Sequence, residues 1–168
     1  MRARIAEKLP TYPWLVYDDA DAPHDSRAVL GYAYAGRWRD RAAYRRSVEV
    51  TAYVDDSARG RGIGRALYEA LFRILEMQGF RRAFAGVTLP NDASIALHRA
   101  VGFVAVGIFH EAGYKYGAWH DVEWYERAVG DTHATAVEPT PLAQLAPNAI
   151  TDAIGSGPSG YVSASSPL

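Results

Sequence analysis

Ser47-Val48-Glu49-Val50-Thr51-Ala52-Tyr53-Val54, then a short link, then Arg59-Gly60-Arg61-Gly62-Ile63-Gly64-Arg65 is the stretch that decides the fold. Its first half is rich in β-branched and aromatic residues and carries a single acid, the pattern of a buried strand. Its second half is a glycine-rich turn opening a long amphipathic stretch. A strand that runs through such a turn into a helix forms a phosphate site. The first helical turn has N–H groups without intrahelical partners and the positive end of the dipole, and glycines let phosphates approach the main chain. Two questions follow: which phosphate-bearing ligand the turn holds, and what Glu49 does.

Working outward, Ile63, Leu67, Ala70, Leu71, Ile74 and Leu75 recur at helical spacing from Gly62 to Gln78, and Gly79 supplies the stop. On the N-terminal side, Trp14–Tyr17 and Ala28–Ala35 are strand signals forming an antiparallel pair across the polar turn Asp18–Arg27. Gly36–Arg46 is a basic loop carrying Trp38 and Tyr44. Met1–Leu9 has the character of a helix end stopped by Pro10. On the C-terminal side come a strand at Arg82–Thr88 and a short helix from Ala93 to Val101 capped by Asn91. A strand at Phe103–Phe109, a loop over His110–Ala118 and a last strand at Trp119–Arg127 follow. Beyond Gly130, Thr, Ala, Pro, Ser and Gly dominate. Residues 131–168 are therefore expected to form a disordered tail behind a domain at 1–130. The order β, β, β, α, β, α, β, β predicts an α/β (α+β) fold: a mixed sheet with helices packed on its faces.

Composition narrows the function classes. The chain has 168 residues, 49% hydrophobic and 22% charged, enough for one domain with a real core. A net charge of −1 offers no basic surface for nucleic acid. The absence of cysteine removes disulfides, thiolate metal sites and a cysteine nucleophile. No apolar run reaches the roughly 20 residues of a membrane span, and the expectation is a soluble cytoplasmic protein. His120 and Asp121 are adjacent in a strand and point to opposite faces, so no metal site is assigned.

The glycine turn fails two nucleotide fingerprints. A P-loop ends in Gly-Lys-Ser/Thr, where this chain has Gly64-Arg65-Ala66. A G-x-G-x-x-G count from Gly60 ends on Arg65, and from Gly62 on Leu67. What stands here is R-x-x-G-x-G: Arg59, Gly62, Gly64. In this setting it resembles the pyrophosphate loop of the GNAT acyltransferase superfamily, which binds acetyl-coenzyme A. The likeness extends through Gly31–Gly36, Val48-Glu49, Leu89-Pro90-Asn91-Asp92, Leu97-His98, Gly102-Phe103, Ala112–Lys115 and Trp119–Val122. These segments, spread over Tyr12–Arg127, are similar to phosphinothricin N-acetyltransferases and their bacterial relatives.

The resemblance implies a mostly antiparallel twisted sheet with helices on both faces, acetyl-coenzyme A as cosubstrate and no metal. It also implies an amino-acid-like amine such as phosphinothricin or methionine sulfoximine as acceptor, and commonly a homodimer. It assigns roles residue by residue. An acceptor amine is mostly protonated at neutral pH, so a base must take its proton. Glu49 by its position alone is either that base or an acid on a solvent-facing strand; the resemblance implies the base. His98 by itself is a bonded helix histidine or an acid–base group, and the resemblance implies a catalytic or substrate-orienting role. Ala52, Tyr53 and Val54 are expected to offer main-chain groups to the pantetheine arm and an N–H to the thioester carbonyl. Gly60, Arg61, Gly62, Ile63, Gly64 and Arg65, flanked by Arg59, are expected around the pyrophosphate. Asn91 is expected at the coenzyme as well as at the helix cap. Ala43, Tyr44 and Arg45 fall on a loop that touches the acceptor in relatives, and Arg45 suits a carboxylate or phosphinate.

Relatives carry a strand and two helices before the segment at Pro13-Trp14-Leu15-Val16, and here only the last helical turns of that region stand. The chain is thus expected to be a shortened form. The alternatives that go with that are a non-catalytic coenzyme A-binding protein and an enzyme for another amine.

Overall fold

The computed structural model describes residues 8–19, 28–131, 133, 135 and 137–155, with the backbone of 160–164. Most of the helix expected over Met1–Leu9 and most of the turn expected over Asp18–Arg27 lie outside these residues.

The chain forms strands β1 (Trp14–Asp19), β2 (Val29–Arg37) and β3 (Ser47–Val54), helix α1 (Ile63–Met77), strand β4 (Arg82–Thr88) and helix α2 (Asp92–Ala100). Strands β5 (Val104–Lys115) and β6 (Ala118–Ala128), helix α3 (Pro147–Ile154) and strand β7 (Gly160–Ala164) follow. They make one mixed sheet in the order β5-β6-β4-β3-β2-β1-β7. Every pairing is antiparallel except β3 with β4.

Side-chain alternation sorts the sheet into two faces. Leu15, Ala33, Ala35, Val48, Val50, Ala83, Ala85 and Tyr125 are buried on one face. There they meet the apolar stripe of α1, Ile63, Leu67, Tyr68, Leu71, Ile74 and Leu75. Each large side chain so buried contributes roughly 1.5–3 kcal/mol. The other face carries an aromatic row. Trp14 stacks on Tyr34 at 4.3 Å, Tyr32 on Tyr53 at 5.5 Å and Trp38 on Phe84 at 4.4 Å. Glu49 belongs to this second face, since its neighbours Val48 and Val50 point to the helices.

The feature that makes a site is the brevity of the parallel ladder. β3 pairs with β4 only at Ser47↔Arg82, Val48↔Ala83 and Glu49↔Phe84. Past Glu49 the strands diverge. β4 continues in register with β6 to Thr88↔Val122, and β3 continues with β2 to Val54↔Gly31. Among the described residues, the β4-facing edge of β3 from Val50 to Val54 is left without a strand partner.

Two expectations need correction. His110–Ala118, expected as a loop, is mostly strand. β5 runs to Lys115 and β6 starts at Ala118, joined by Tyr116-Gly117 with φ of 53° and 78°. Positive φ at both positions is the I′ hairpin geometry, and ladder irregularities between Ala105/Gly107 and Phe109/Gly113 absorb the glycines that break the alternation. The region after Gly130 is also not wholly a tail. Leu142 and Ala153 are buried, and α3 packs on α1. Buried Gln78 is the reason: its Nε2 donates to Thr11 O and Thr140 O, both at 2.8 Å. Arg46 Nε donates to Val137 O at 2.7 Å, and Arg73 Nε to Ala153 O at 2.6 Å. Long-range polar clamps order a segment whose own composition cannot.

Gln78→Ala is expected to cost about 1–3 kcal/mol in urea unfolding, since it takes the donor from Thr140 O and one of the two donors from Thr11 O, which keeps the Leu142 N–H. Residues 137–154 should lose hydrogen-exchange protection first, whereas Met77→Ala at a 39% exposed neighbour should change little.

Candidate active site

The link after β3 is shaped by Asp55. Its Oδ1 accepts from Ser57 N at 3.0 Å, and its N–H donates to Leu30 O at 2.9 Å. A 3-10 turn over Asp56–Ala58 then leads to Gly60 and Gly62, at φ of 76° and 79°. Gly62 is the N-cap of α1 in the left-handed region, and a Cβ there would meet no atom within 4 Å. Glycine is thus required by conformation and leaves the approach to the helix end open. Gly64 serves a different need. A Cβ there would sit 2.8 Å from Leu97 Cδ2, so its absence lets α1 and α2 come together.

A cavity of about 320 Å³ opens at this junction. Of the residues expected to bind the coenzyme, Ala52, Tyr53, Val54, Arg59, Gly60, Gly62, Ile63, Gly64, Arg65 and Asn91 all line it; Arg61 does not. Ser94, a weaker candidate from the sequence, lines it too, and Ala58, Ala93 and Leu97, to which the sequence assigned no role, complete the wall. Asn91 caps α2 by accepting from Ser94 N at 3.1 Å. At the mouth, Arg59 pairs with Asp56 at 2.6 Å and Arg65 with Glu69 at 2.7 Å. Both are exposed pairs of the kind worth little, so either guanidinium is free to exchange its partner for a phosphate.

The strand edge adds main-chain groups. Tyr68 on α1 is fully buried, and its hydroxyl accepts from the Ala52 N–H. Polar groups alternate sides along a strand, so those of Val50 and Val54 share the open edge with Ala52. Those of Tyr53 turn to β2. Its ring stacks on Tyr32 in the aromatic row.

Tyr68 was not anticipated. Its one signal in the sequence is a phenol within the apolar stripe of α1. The hydroxyl bonds His98 Nε2 at 2.9 Å, and His98 Nδ1 lies 2.7 Å from Ser94 O. A carbonyl only accepts, so Nδ1 carries the proton and Nε2 accepts from Tyr68. His98 is 5% exposed, stacks on Tyr125 at 5.7 Å and does not line the cavity. Burial holds its pKa below the ordinary value, against the raising effect of the Ser94 carbonyl. Burial likewise pushes the Tyr68 phenol up. The structure thus gives a chain, Ala52 N–H to Tyr68 to His98 to Ser94 O, with His98 behind the cavity wall.

Glu49 is half-buried at the last pair before the strands part. Burial raises its pKa above the ordinary 4.5, and the positive charge of Lys8 partly offsets this. A carboxyl so placed is easily reprotonated, as a base must be. The expected acceptor residues Ala43, Tyr44 and Arg45 do not line the cavity. Ala43 and Tyr44 form a 3-10 turn leading to β3, and Arg45 Nη2 pairs with Glu138 at 2.5 Å. Among the described residues, no group of His, Asp or Glu side chains is arranged to hold a metal ion, and no helix is long and apolar enough to cross a membrane.

The acetyltransferase (GNAT) domain family matches residues 5–124. The chain is 44% identical over 123 residues to the phosphinothricin N-acetyltransferase of Streptomyces coelicolor, covering 68% of this chain and 72% of that protein. It is 44% identical over 116 residues to the one from Streptomyces viridochromogenes, covering 69% and 60%. The L-methionine sulfoximine/L-methionine sulfone acetyltransferase of Pseudomonas aeruginosa is 37% identical, covering 73% and 69%. Among solved structures, a GNAT superfamily phosphinothricin acetyltransferase from Sinorhizobium meliloti in complex with AcCoA superposes with a TM-score of 0.65. It is 38% identical, and the match covers 82% of this chain and 70% of that one. The chain thus spans between 60% and 72% of the length of these proteins.

Glu49→Gln is expected to raise the melting temperature at pH 7. The folded carboxyl holds its proton more tightly than the unfolded one. Its stabilising contribution is therefore complete below the ordinary 4.5 and is lost as pH rises through the raised folded value. The advantage of the glutamine variant should shrink as pH falls through this window and vanish below pH 4.5; a constant difference would contradict it.

Proposed function

The chain belongs to the GNAT acetyltransferase family, and we propose that it moves the acetyl group of acetyl-coenzyme A to the amino group of phosphinothricin, methionine sulfoximine or a similar small amino acid. The observation that carries this reading is the cavity between the diverging edge of β3 and the N-terminus of α1. The site suits the cosubstrate on its own geometry. Gly60, Gly62 and the first-turn N–H groups of α1 face a pyrophosphate. The open edge at Val50, Ala52 and Val54 is an extended ladder for the amides of a pantetheine arm.

Acetyl-coenzyme A supplies an acyl carbon bonded to a thiol leaving group. Glu49 takes a proton from the acceptor ammonium, directly or through a water, and so frees the nitrogen lone pair. The N–C bond then forms as the C–S bond breaks, the nitrogen sheds its second proton as it becomes an amide, and the departing thiolate takes up one proton to leave as the coenzyme A thiol, while Glu49 returns its proton to water. The Tyr68 hydroxyl, which gives its own proton to His98 Nε2, braces the strand edge at Ala52 from behind the cavity wall. His98 acts through Tyr68 by fixing its hydroxyl against Ala52. Ala43 and Tyr44 border the acceptor side through the turn that leads into β3. Arg45 reaches an acceptor only by leaving Glu138.

The acceptor is a small molecule rather than a nucleic acid or a membrane, a reading supported by the net charge of −1. The assembly is a homodimer formed along β5. Among the described residues this edge strand has no neighbour on its outer side, and it exposes Val104 and Val106 at 60% and Phe109 at 54%.

Two tests address these readings. Thiol release from acetyl-coenzyme A over a panel of amines should be fastest with small α-amino acids. Glu49→Gln should lower kcat by about 10²–10⁴-fold with the KM for acetyl-coenzyme A nearly unchanged. Full activity in that variant would remove the base assignment. Sedimentation should show a dimer that Val106→Glu converts to a monomer; a parent chain sedimenting as a monomer would exclude the dimer.

A further inference from the structure

The rim of the site beside Glu49 is a loop that burial does not hold in place. The loop Gly36–Arg46 leaves β2 opposite Glu49, since Gly36 pairs with Glu49 across the ladder. Trp38 then stacks at 4.4 Å on Phe84, the residue that pairs with Glu49 from β4. Arg39 ties this ring to the far end of the loop, with its guanidinium 5.2 Å from the centre of Trp38 and 5.7 Å from that of Tyr44. Tyr44 belongs to the 3-10 turn Ala42–Tyr44. In that turn Tyr44 N donates to Arg41 O at 2.9 Å and Arg45 N to Ala42 O at 3.2 Å. Every residue from Arg39 to Arg45 is exposed, so the conformation of the loop depends on polar contacts.

The hold comes from a distant carboxylate. Glu138 Oε1 lies 2.5 Å from Arg45 Nη2 and 3.5 Å from Arg46 Nη2, so one acid serves two adjacent guanidiniums. The Arg45 guanidinium also grips the turn, its Nη1 donating to Ala42 O at 3.3 Å. An exposed ion pair is worth little when both long side chains must be ordered to make it, and more when several charges form a network. Here the main chain on both sides of the acid is already fixed. Before it, Val137 O accepts from Arg46 Nε at 2.7 Å. After it, Thr140 N donates to the carbonyl of buried Gln78, and Gln78 Nε2 donates to Thr140 O, both at 2.8 Å. Glu138 therefore stands on a segment tied to the end of α1 and offers the loop a fixed point.

We infer that Glu138 is a positioning residue of the acceptor site: through Arg45 and Arg46 it anchors the loop whose Trp38 borders Glu49, and so sets the affinity for the acceptor. The inference rests on the acetyl-transfer reading above and brings the C-terminal segment into it, since Glu138 lies beyond residue 124, where the family match ends. Arg45 is then an anchor and not a ligand. The contacts run without a break from the Glu138 carboxylate to Arg45 and the turn, from Tyr44 to Arg39, from Arg39 to Trp38 and from Trp38 to Phe84. The Glu138 side chain is 63% exposed, so cutting the first link spares the core.

Glu138→Gln keeps the size of the side chain and removes its charge. It is expected to raise the acceptor KM by about two- to fivefold, the range of an exposed ion-pair network. The kcat, the KM for acetyl-coenzyme A and the melting temperature should hold. Arg45→Gln should give the same shift, and the double variant no more than either single one, as members of one unit behave. Exchanging the charges, Arg45→Glu together with Glu138→Arg, should recover part of the affinity. Amide exchange adds a readout that needs no turnover. In Glu138→Gln the N–H groups of Tyr44 and Arg45 should exchange faster, while those of α1 keep their protection. An acceptor KM that stays or falls in Glu138→Gln would overturn the inference, a fall showing that Glu138 withholds Arg45 from the acceptor. Additive effects of the two single variants would overturn it as well. If the unaltered chain is stabilised by acetyl-coenzyme A yet acetylates no acceptor, the acetyl-transfer reading falls and the acceptor role of Glu138 with it. Unchanged exchange at Tyr44 and Arg45 in a chain that does acetylate overturns the anchor alone.

Discussion

The parting of β3 from β4 after a single three-pair parallel ladder is the constraint on which the rest of this structure depends. An unpaired strand edge is normally a liability, because buried or half-buried amides without partners cost free energy. Here the edge is kept open by side chains placed in the gap. Tyr68 satisfies the Ala52 N–H, His98 holds Tyr68, and Tyr125 of β6 stacks on His98. The strands cannot close without displacing this buried set. The same parting puts Glu49 at the last paired position, where it is partly desolvated but still reachable from the aromatic face.

Two faces of the sheet then divide the work. On one, α1 packs over the core and turns its N-terminus toward the open edge. Gly64 allows α2 to approach closely enough to complete the cavity wall with Leu97. On the other, the row of Trp14, Tyr32, Tyr34 and Tyr53 gives Glu49 and Lys8 a common floor. The two halves of the site meet where the strand edge changes from paired to unpaired. Stability is supplied elsewhere. Gln78 ties α1 to the segments at Thr11 and Thr140, so the C-terminal residues close the end of the domain remote from the cavity.

The sequence was most informative where chemistry is local. A glycine turn, a strand with one acid and a helix with an apolar stripe are each set by neighbours a few residues away. The cavity wall at Ala52–Val54, Arg59, Gly60, Gly62–Arg65 and Asn91 was legible for that reason. What escaped depends on distant partners. Tyr68 carries no signal of its role, because nothing near it in the chain announces the Ala52 edge or His98. His98 could be read only as a bonded helix histidine or an acid–base group, because its partner Tyr68 and its packing against Phe103 and Tyr125 come from distant parts of the chain. The segment after Gly130 has the composition of a tail, and distant partners such as Gln78, Arg46 and Arg73 and the main chain at Pro10 and Thr11 make it otherwise. The β5/β6 hairpin was shortened in the reading because its glycines sit at ladder irregularities, which break the alternation without ending the strands.

The central claim is that the open edge of β3 and the first turn of α1 together receive acetyl-coenzyme A. Residue-resolved amide exchange with and without acetyl-coenzyme A measures this directly. The account expects new protection at Val54 and at Ile63, Gly64 and Arg65, a change at Ala52 as its bond to Tyr68 is exchanged, and none at Tyr53, whose N–H already faces β2. Protection spread elsewhere, or none at the strand edge and helix turn despite saturating acetyl-coenzyme A, would contradict it.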